Sequence, residues 1–153
     1  MSTITTRPGQ QLDVLHPLVA SAVGAFTFAA TMVAGDLLDL NSDADDSAAT
    51  TLPELAVYAG LVLAGVVLAV WLGTRARGAS PDTLARASLG FALASVVTFV
   101  GFWSGWPHIF AAVGIALALE HRRRVGAFSA TAMSALLVGV ACFVATSWIC
   151  VVG

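Results

Sequence analysis

The sequence predicts an all-α integral membrane protein with five transmembrane helices, the N-terminus inside and the C-terminus outside. The 153 residues are 58% hydrophobic and only 10% charged, whereas soluble domains carry roughly a quarter charged residues. All seven basic residues are arginines, and they lie in short groups between long uncharged stretches. A chain with so little charge lacks the polar surface of a soluble domain, so we expect lipid around most of it.

The expected crossings are helices near the ~20 residues that span a hydrocarbon core, with one shorter member. A cytoplasmic tail, residues 1–15, precedes the first crossing, and an acidic external loop, residues 41–52, follows it. Thr51-Leu52-Pro53-Glu54 then predicts a helix start, with a capping threonine and a proline in the first turn. The expected spans, all within one membrane domain, cover residues 17–40, 54–74, 83–103, 107–121 and 126–151.

The uncharged stretch 87–119 is the ambiguous part of this topology. One straight helix over it would be roughly 50 Å long at 1.5 Å per residue, well beyond a ~30 Å core. It is therefore either one kinked, tilted crossing or a short hairpin that turns at Gly105 and Pro107, with Trp103 and Trp106 at the outer interface. A single crossing would place Arg122–Arg124 outside and the other arginines inside. A hairpin places all seven inside, as the positive-inside rule expects, so we predict a hairpin.

The expected span cores hold none of the charges that usually mark ion-coupled transport in membranes. His16, His108 and His121 are each expected at a helix end, as ordinary polar end residues, with a His16–His121 pair across the inner interface as the alternative. Glu120 is expected to bound the short fourth span. The sequence shows no nucleophile–base pair and no basic stripe for nucleic acid. We therefore expect no catalytic residue, no cofactor and no nucleic-acid partner.

Two charged groups are the candidate binding sites. Asp36, Asp39 and Glu54 flank the external loop, and their carboxylates are hard oxygen ligands of the kind that divalent cations take. The simpler interpretation of these acids is a solvated loop. Arg122, Arg123 and Arg124 carry guanidinium groups that match the phosphate of anionic lipid headgroups. The simpler interpretation of these arginines is a topology anchor.

The second half of the chain combines an arginine-led helix of small residues with a tryptophan turn. Leu84-Ala-Arg-Ala-Ser-Leu-Gly-Phe-Ala-Leu-Ala-Ser is followed by Phe102-Trp-Ser-Gly-Trp-Pro and by the basic stop at residues 122–124. Over roughly residues 84–150, this pattern resembles the paired-helix segments of small actinobacterial multi-pass membrane proteins of unknown function. The resemblance implies a membrane location and no particular activity.

The expected function is that of a non-enzymatic accessory or scaffold subunit of the bacterial plasma membrane. Its helices contain several pairs of small residues four apart, such as Gly60 and Ala64, which allow helices to approach closely. Its expected partners are the lipid bilayer and either further copies of itself or another membrane protein. The alternative is a small transporter or channel component, with Asp36, Asp39 and Glu54 at an external acidic mouth.

Overall fold

The computed structural model describes residues 13–38 and 52–152, and these form a bundle of α-helices. Most of the expected tail and of the acidic loop, including Asp39, lies outside the described residues. The predicted all-helical class is confirmed for the part that is described. The helices are α1 (Pro17–Leu37), α2 (Leu52–Arg77), α3 (Pro81–Val97), α4 (Trp106–Val125) and α5 (Ala130–Val152), with a 3₁₀ segment, Thr98–Ser104, between α3 and α4.

Four helical segments of the described chain are long and apolar enough to cross a membrane. They are Pro17–Leu37, Leu55–Arg77, Pro81–Ser104 and Ala130–Val152. The expectation of transmembrane helices is therefore confirmed for these four by length and composition. The fifth helix, α4, is the more polar one, because its last turn carries Arg122, Arg123 and Arg124.

The starts of α1 and α3 follow from their local sequences. His16 has an extended backbone and its Nδ1 accepts a hydrogen bond from the N–H of Leu18, while Pro17 occupies the first turn. Ser80 caps α3 in the same way, with Pro81 at the first helical position. Proline is tolerated there because the first N–H groups of a helix have no partner within the helix.

Helix α4 lies at the centre of the bundle, where α1, α3 and α5 pack around it and α2 contacts it from the outer side. Thirteen of its 20 residues are buried. Gly24 of α1 permits the closest approach, since a Cβ at this position would lie only 2.7 Å from the carbonyl oxygen of His108. Most of the α4 surface therefore contacts other helices. A helix in this position does not need the strongly apolar surface of a helix that faces lipid.

The turn between α3 and α4 has its hydrogen bonds satisfied locally. Gly105 has a positive φ of 74°, a conformation that glycine adopts without steric cost. The Ser104 hydroxyl donates to the Gly101 carbonyl at 2.7 Å and accepts from the Trp106 N–H at 3.3 Å. These bonds pair polar groups of the turn within the protein, and an unpaired backbone group would be costly in an apolar environment.

The turn between α3 and α4 does not extend as far along the bundle as the last residue of α1, Leu37, and the first residue of α2, Leu52. Trp106 donates from Nε1 to the Leu61 carbonyl at 2.8 Å, nine residues along α2 from Leu52. Gly105 contacts Phe28, nine residues before Leu37 at the end of α1. At 1.5 Å per residue, the turn is about 13 Å short of both ends. Trp106 therefore packs against the middle of α2, and its predicted position at the outer interface stays a prediction.

Helix α2 is the peripheral member of the bundle. Among its described side chains, only Gly65, Ala69 and Gly73 are buried. Gly65 receives the Trp106 ring and Gly73 receives Pro17 at the start of α1. Small residues thus hold α2 to the bundle, with Val62, Val66 and Ala76 packed beside them, and much of the remaining apolar surface of α2 faces outward.

Candidate functional site

Five chain segments meet at one end of the bundle, which we call the arginine end. They are the turn before α1, the end of α2, the start of α3, the end of α4 and the start of α5. His121 in α4 lies within hydrogen-bonding distance of the Pro81 carbonyl at the start of α3, 3.1 Å away. The end of α4 is therefore beside the start of α3, and the two helices run antiparallel.

Glu120 is the buried centre of this end, with only 3% of its side chain exposed. Its Oε1 accepts from Arg124 Nε at 2.8 Å, and its Oε2 lies 2.7 Å from Arg123 Nη2. Arg77 of α2 approaches the same Oε2 to 3.9 Å. The Arg123 contact is an ion pair without hydrogen-bond alignment, so Oε2 keeps the capacity to accept a further bond. The Glu120 carboxylate thus contacts three arginines. Arg77 belongs to α2, and the other two belong to α4, the helix of Glu120 itself.

Asp13, in the turn before α1, closes a ring of alternating charges. One carboxylate oxygen, Oδ2, pairs with Arg77 Nη2, and the other, Oδ1, lies 3.5 Å from Arg123 Nη1. Both arginines also contact Glu120. We call Asp13, Arg77, Glu120, Arg123 and Arg124 the arginine-end cluster.

The hydrogen bond from Arg77 holds the pKa of Asp13 below its usual value of 3.8, and the positive charges of Arg77 and Arg123 act in the same direction. A depressed carboxyl pKa means that the ionised form is favoured in the folded state. Its contribution to stability is therefore present above the ordinary pKa and is lost as the pH falls through the depressed one. Asp13 is accordingly ionised, and paired, throughout the neutral range.

The side chain of Arg124 also caps the C-terminal end of α2. Its Nη2 donates to the Arg77 carbonyl at 2.8 Å and its Nη1 to the Ala79 carbonyl at 3.4 Å. The last carbonyl groups of a helix have no partner within that helix, and a basic side chain that bonds them stabilises its end. A single arginine therefore joins the ends of α2 and α4.

The histidines have local roles. The Pro81 carbonyl only accepts, so His121 Nδ1 must carry the proton that it donates. His16 caps α1 and has a separate partner from His121. His108, expected to be an ordinary end residue, is fully buried between Phe28 and Phe143. Its Nε2 lies 3.1 Å from the hydroxyl of Ser147, which itself donates to the Phe143 carbonyl, so His108 is the donor in that contact.

The structure divides the predicted trio Arg122–Arg124. Arg123 and Arg124 belong to the arginine-end cluster, whereas Arg122 is exposed and stacks over Phe128 at 5.1 Å. Their expected contact with lipid headgroups stays a prediction. The i, i+3 and i, i+4 spacing of Glu120 to Arg123 and Arg124 was the sequence signal for the cluster. Sequence reasoning missed it by taking Glu120 as the boundary of a span.

The predicted external acids are only partly within the described chain. Asp36 is exposed near the end of α1. Asp39 and the side chain of Glu54 lie outside the described residues. Within 13–38 and 52–152, no group of three or more histidine, cysteine or acidic side chains is placed to hold a metal ion. The cation site therefore stays a prediction.

Comparison with known proteins found no match to any family model, curated protein or solved structure. The resemblance of residues 84–150 to small actinobacterial membrane proteins therefore stays a prediction that rests on its motifs.

Proposed function

We propose that this protein is a non-enzymatic accessory or scaffold subunit of a bacterial plasma membrane, which associates with itself or with another membrane protein. Its four long apolar helices support the membrane location. In the proposed topology all five helical segments enter the bilayer. The arginine end faces the cytoplasm and the C-terminus faces outward, because basic residues are retained inside.

Reporter fusions test this orientation. Fusions after Gly78 and Gly126 should both report cytoplasm, since both positions adjoin the arginine end, and fusions after Ala48 and Gly153 should both report the outside. Opposite signals at Gly78 and Gly126 would contradict the hairpin.

The outward face of α2 carries the proposal of a scaffold role. This helix has a shallow, open apolar groove of about 470 Å³ on its outward side, lined by Gly60, Leu63, Ala64, Val67, Leu68 and Trp71. A Cβ at Gly60 would meet nothing within 4 Å, so a partner helix has room to approach. Close approach through small residues is a common basis for helix association in lipid. Helix α2 thus packs on its own bundle through Gly65, Ala69 and Gly73 and leaves the small residues Gly60 and Ala64 exposed for a partner.

A matched pair of substitutions tests this face. Gly60→Leu fills the groove and should abolish association, whether with a second copy or with a partner captured from native membranes. Gly90→Leu is the control, because Gly90 is also an exposed glycine inside a helix, where a Cβ would meet nothing within 4 Å. The measurement is the mass of the purified complex in mild detergent, together with chemical crosslinking in native membranes.

Two results would count against the scaffold role. One is a wild-type protein that is monomeric in detergent and recovers no partner from its own membranes. The other is equal association of Gly60→Leu and Gly90→Leu, which would remove the argument for α2 as the contacting helix.

A further inference from the structure

We propose that Arg77 and Arg123 form a binding site for a phosphate-type oxyanion at the membrane surface, and that Asp13 occupies this site as a built-in competitor. The inference does not depend on the proposed scaffold role, because it concerns charged groups at the arginine end and not the apolar face of α2.

The arrangement around Asp13 is that of a bound oxyanion. Its two carboxylate oxygens face two different guanidinium groups, Arg77 through Oδ2 and Arg123 through Oδ1. Each guanidinium group donates one hydrogen bond to Asp13, and arginine donates charge-assisted bonds of this kind to phosphate oxygens as well. A phosphate group would present its oxygens to the same donors.

The two arginines are held in position by groups other than Asp13. Buried Glu120 pairs with Arg123 at 2.7 Å and approaches Arg77 to 3.9 Å. The backbone of Arg77 is also fixed at the end of α2, because its carbonyl accepts from Arg124. The donors would therefore stay in place after Asp13 left, and a site organised in advance binds with a smaller loss of side-chain entropy.

Charge favours an incoming anion. The three arginines of the cluster outnumber its two acids, so the cluster is cationic with Asp13 in place and more so without it. Exposed Arg75, Arg86 and Arg122 at the same end of the bundle add more positive charge than exposed Asp82 offsets. A basic surface of this kind is attracted to the anionic cytoplasmic leaflet.

The Asp13 turn is placed to act as a removable cover. Asp13 lies before the first residue of α1 and is held locally by the His16 N–H, which donates to its carbonyl at 2.8 Å. Its side chain is 36% exposed and that of Arg123 is 54% exposed, so the opening faces the surface where headgroups lie. Displacement of Asp13 would move a short turn and leave the five helices packed.

The test compares wild-type protein with Asp13→Asn, both full-length and in nanodiscs of zwitterionic lipid. One arm titrates a short-chain phosphatidic acid, and the other titrates inorganic phosphate. Asp13→Asn should bind the lipid roughly two- to fivefold more tightly, the range expected when an exposed ion pair no longer competes. Competition by inorganic phosphate would show that the headgroup chemistry suffices, and its failure to compete would show that the acyl chains contribute to a headgroup site.

Substitutions at two arginines separate this site from general basic attraction. Arg123→Gln in the Asp13→Asn background should remove the gain in affinity. Arg75→Gln should retain it, because Arg75 stacks over Trp71 outside the cluster. If Asp13→Asn fails to fold, Asp13→Ser replaces it. Equal lipid affinity in wild type and Asp13→Asn, or a gain that survives Arg123→Gln, would overturn the proposal.

Discussion

Glu120→Gln is expected to destabilise the bundle by about 1.5–3 kcal/mol, the range for hydrogen bonds to charged groups. The side chain keeps its shape but loses the charge that balances Arg77, Arg123 and Arg124. The cost stays below that of a fully buried ion pair, because Arg123 and Arg124 are 54% and 33% exposed and water screens them. Denaturation by SDS in mixed micelles, followed by the helical circular dichroism signal, gives the change in unfolding free energy.

The control for this substitution is Asp82→Asn. Asp82 is an exposed acid in the first turn of α3, at the same end of the bundle. Its loss should change the unfolding free energy by a few tenths of a kcal/mol, as for a charge near a helix start. Adding Arg123→Gln to Glu120→Gln should recover part of the loss, since it removes one unbalanced charge from a side chain that is 54% exposed. An unfolding curve for Glu120→Gln that superimposes on wild type would mean that the cluster is not a structural centre.

Gly24→Ala is expected to cost about 1–3 kcal/mol, the range for overpacking a tightly packed core. The new Cβ would lie 2.7 Å from the His108 carbonyl oxygen and 2.8 Å from the Ile109 Cα. These are backbone atoms of the central helix, so α1 and α4 must move apart to relieve the contact. The same SDS titration measures the effect.

Gly90→Ala is the matched control for the contact between α1 and α4. It makes the same change inside a helix, at a position where a Cβ meets nothing within 4 Å. It should be neutral or stabilising, because alanine exceeds glycine in helix propensity by roughly 0.8–1.0 kcal/mol. Equal stability of Gly24→Ala and Gly90→Ala would contradict the close approach of α1 to α4.

The sequence allowed the helical class to be predicted because lipid imposes a simple constraint. A backbone surrounded by hydrocarbon must satisfy its own hydrogen bonds, and long uncharged segments therefore form helices. Local residues also predicted particular boundaries. Thr51-Leu52-Pro53-Glu54 predicts the start of α2, which begins at Leu52, and Gly105 predicts the turn before α4; the structure shows both features.

The candidate site could be predicted only in part. Arg123 and Arg124 were singled out as a basic group, but their partners are distant in sequence. Asp13 contacts Arg123 across 110 residues, and Arg124 bonds the Arg77 carbonyl across 47. Neither contact has a periodic signal within one helix. Their formation depends on which helix ends the fold brings together.

By itself, the sequence determined that the helices are apolar enough to span a membrane, that the class is all-helical, and how charge is separated along the chain. These follow from the free energy of transferring each segment between water and lipid, which depends mainly on local composition. Only the tertiary structure decided that α4 is central, that Trp106 rests on α2, and that Glu120 is buried among arginines. Packing decided these points because lipid is as apolar as the helices themselves, so helix contacts depend on shape, on small residues and on paired polar groups.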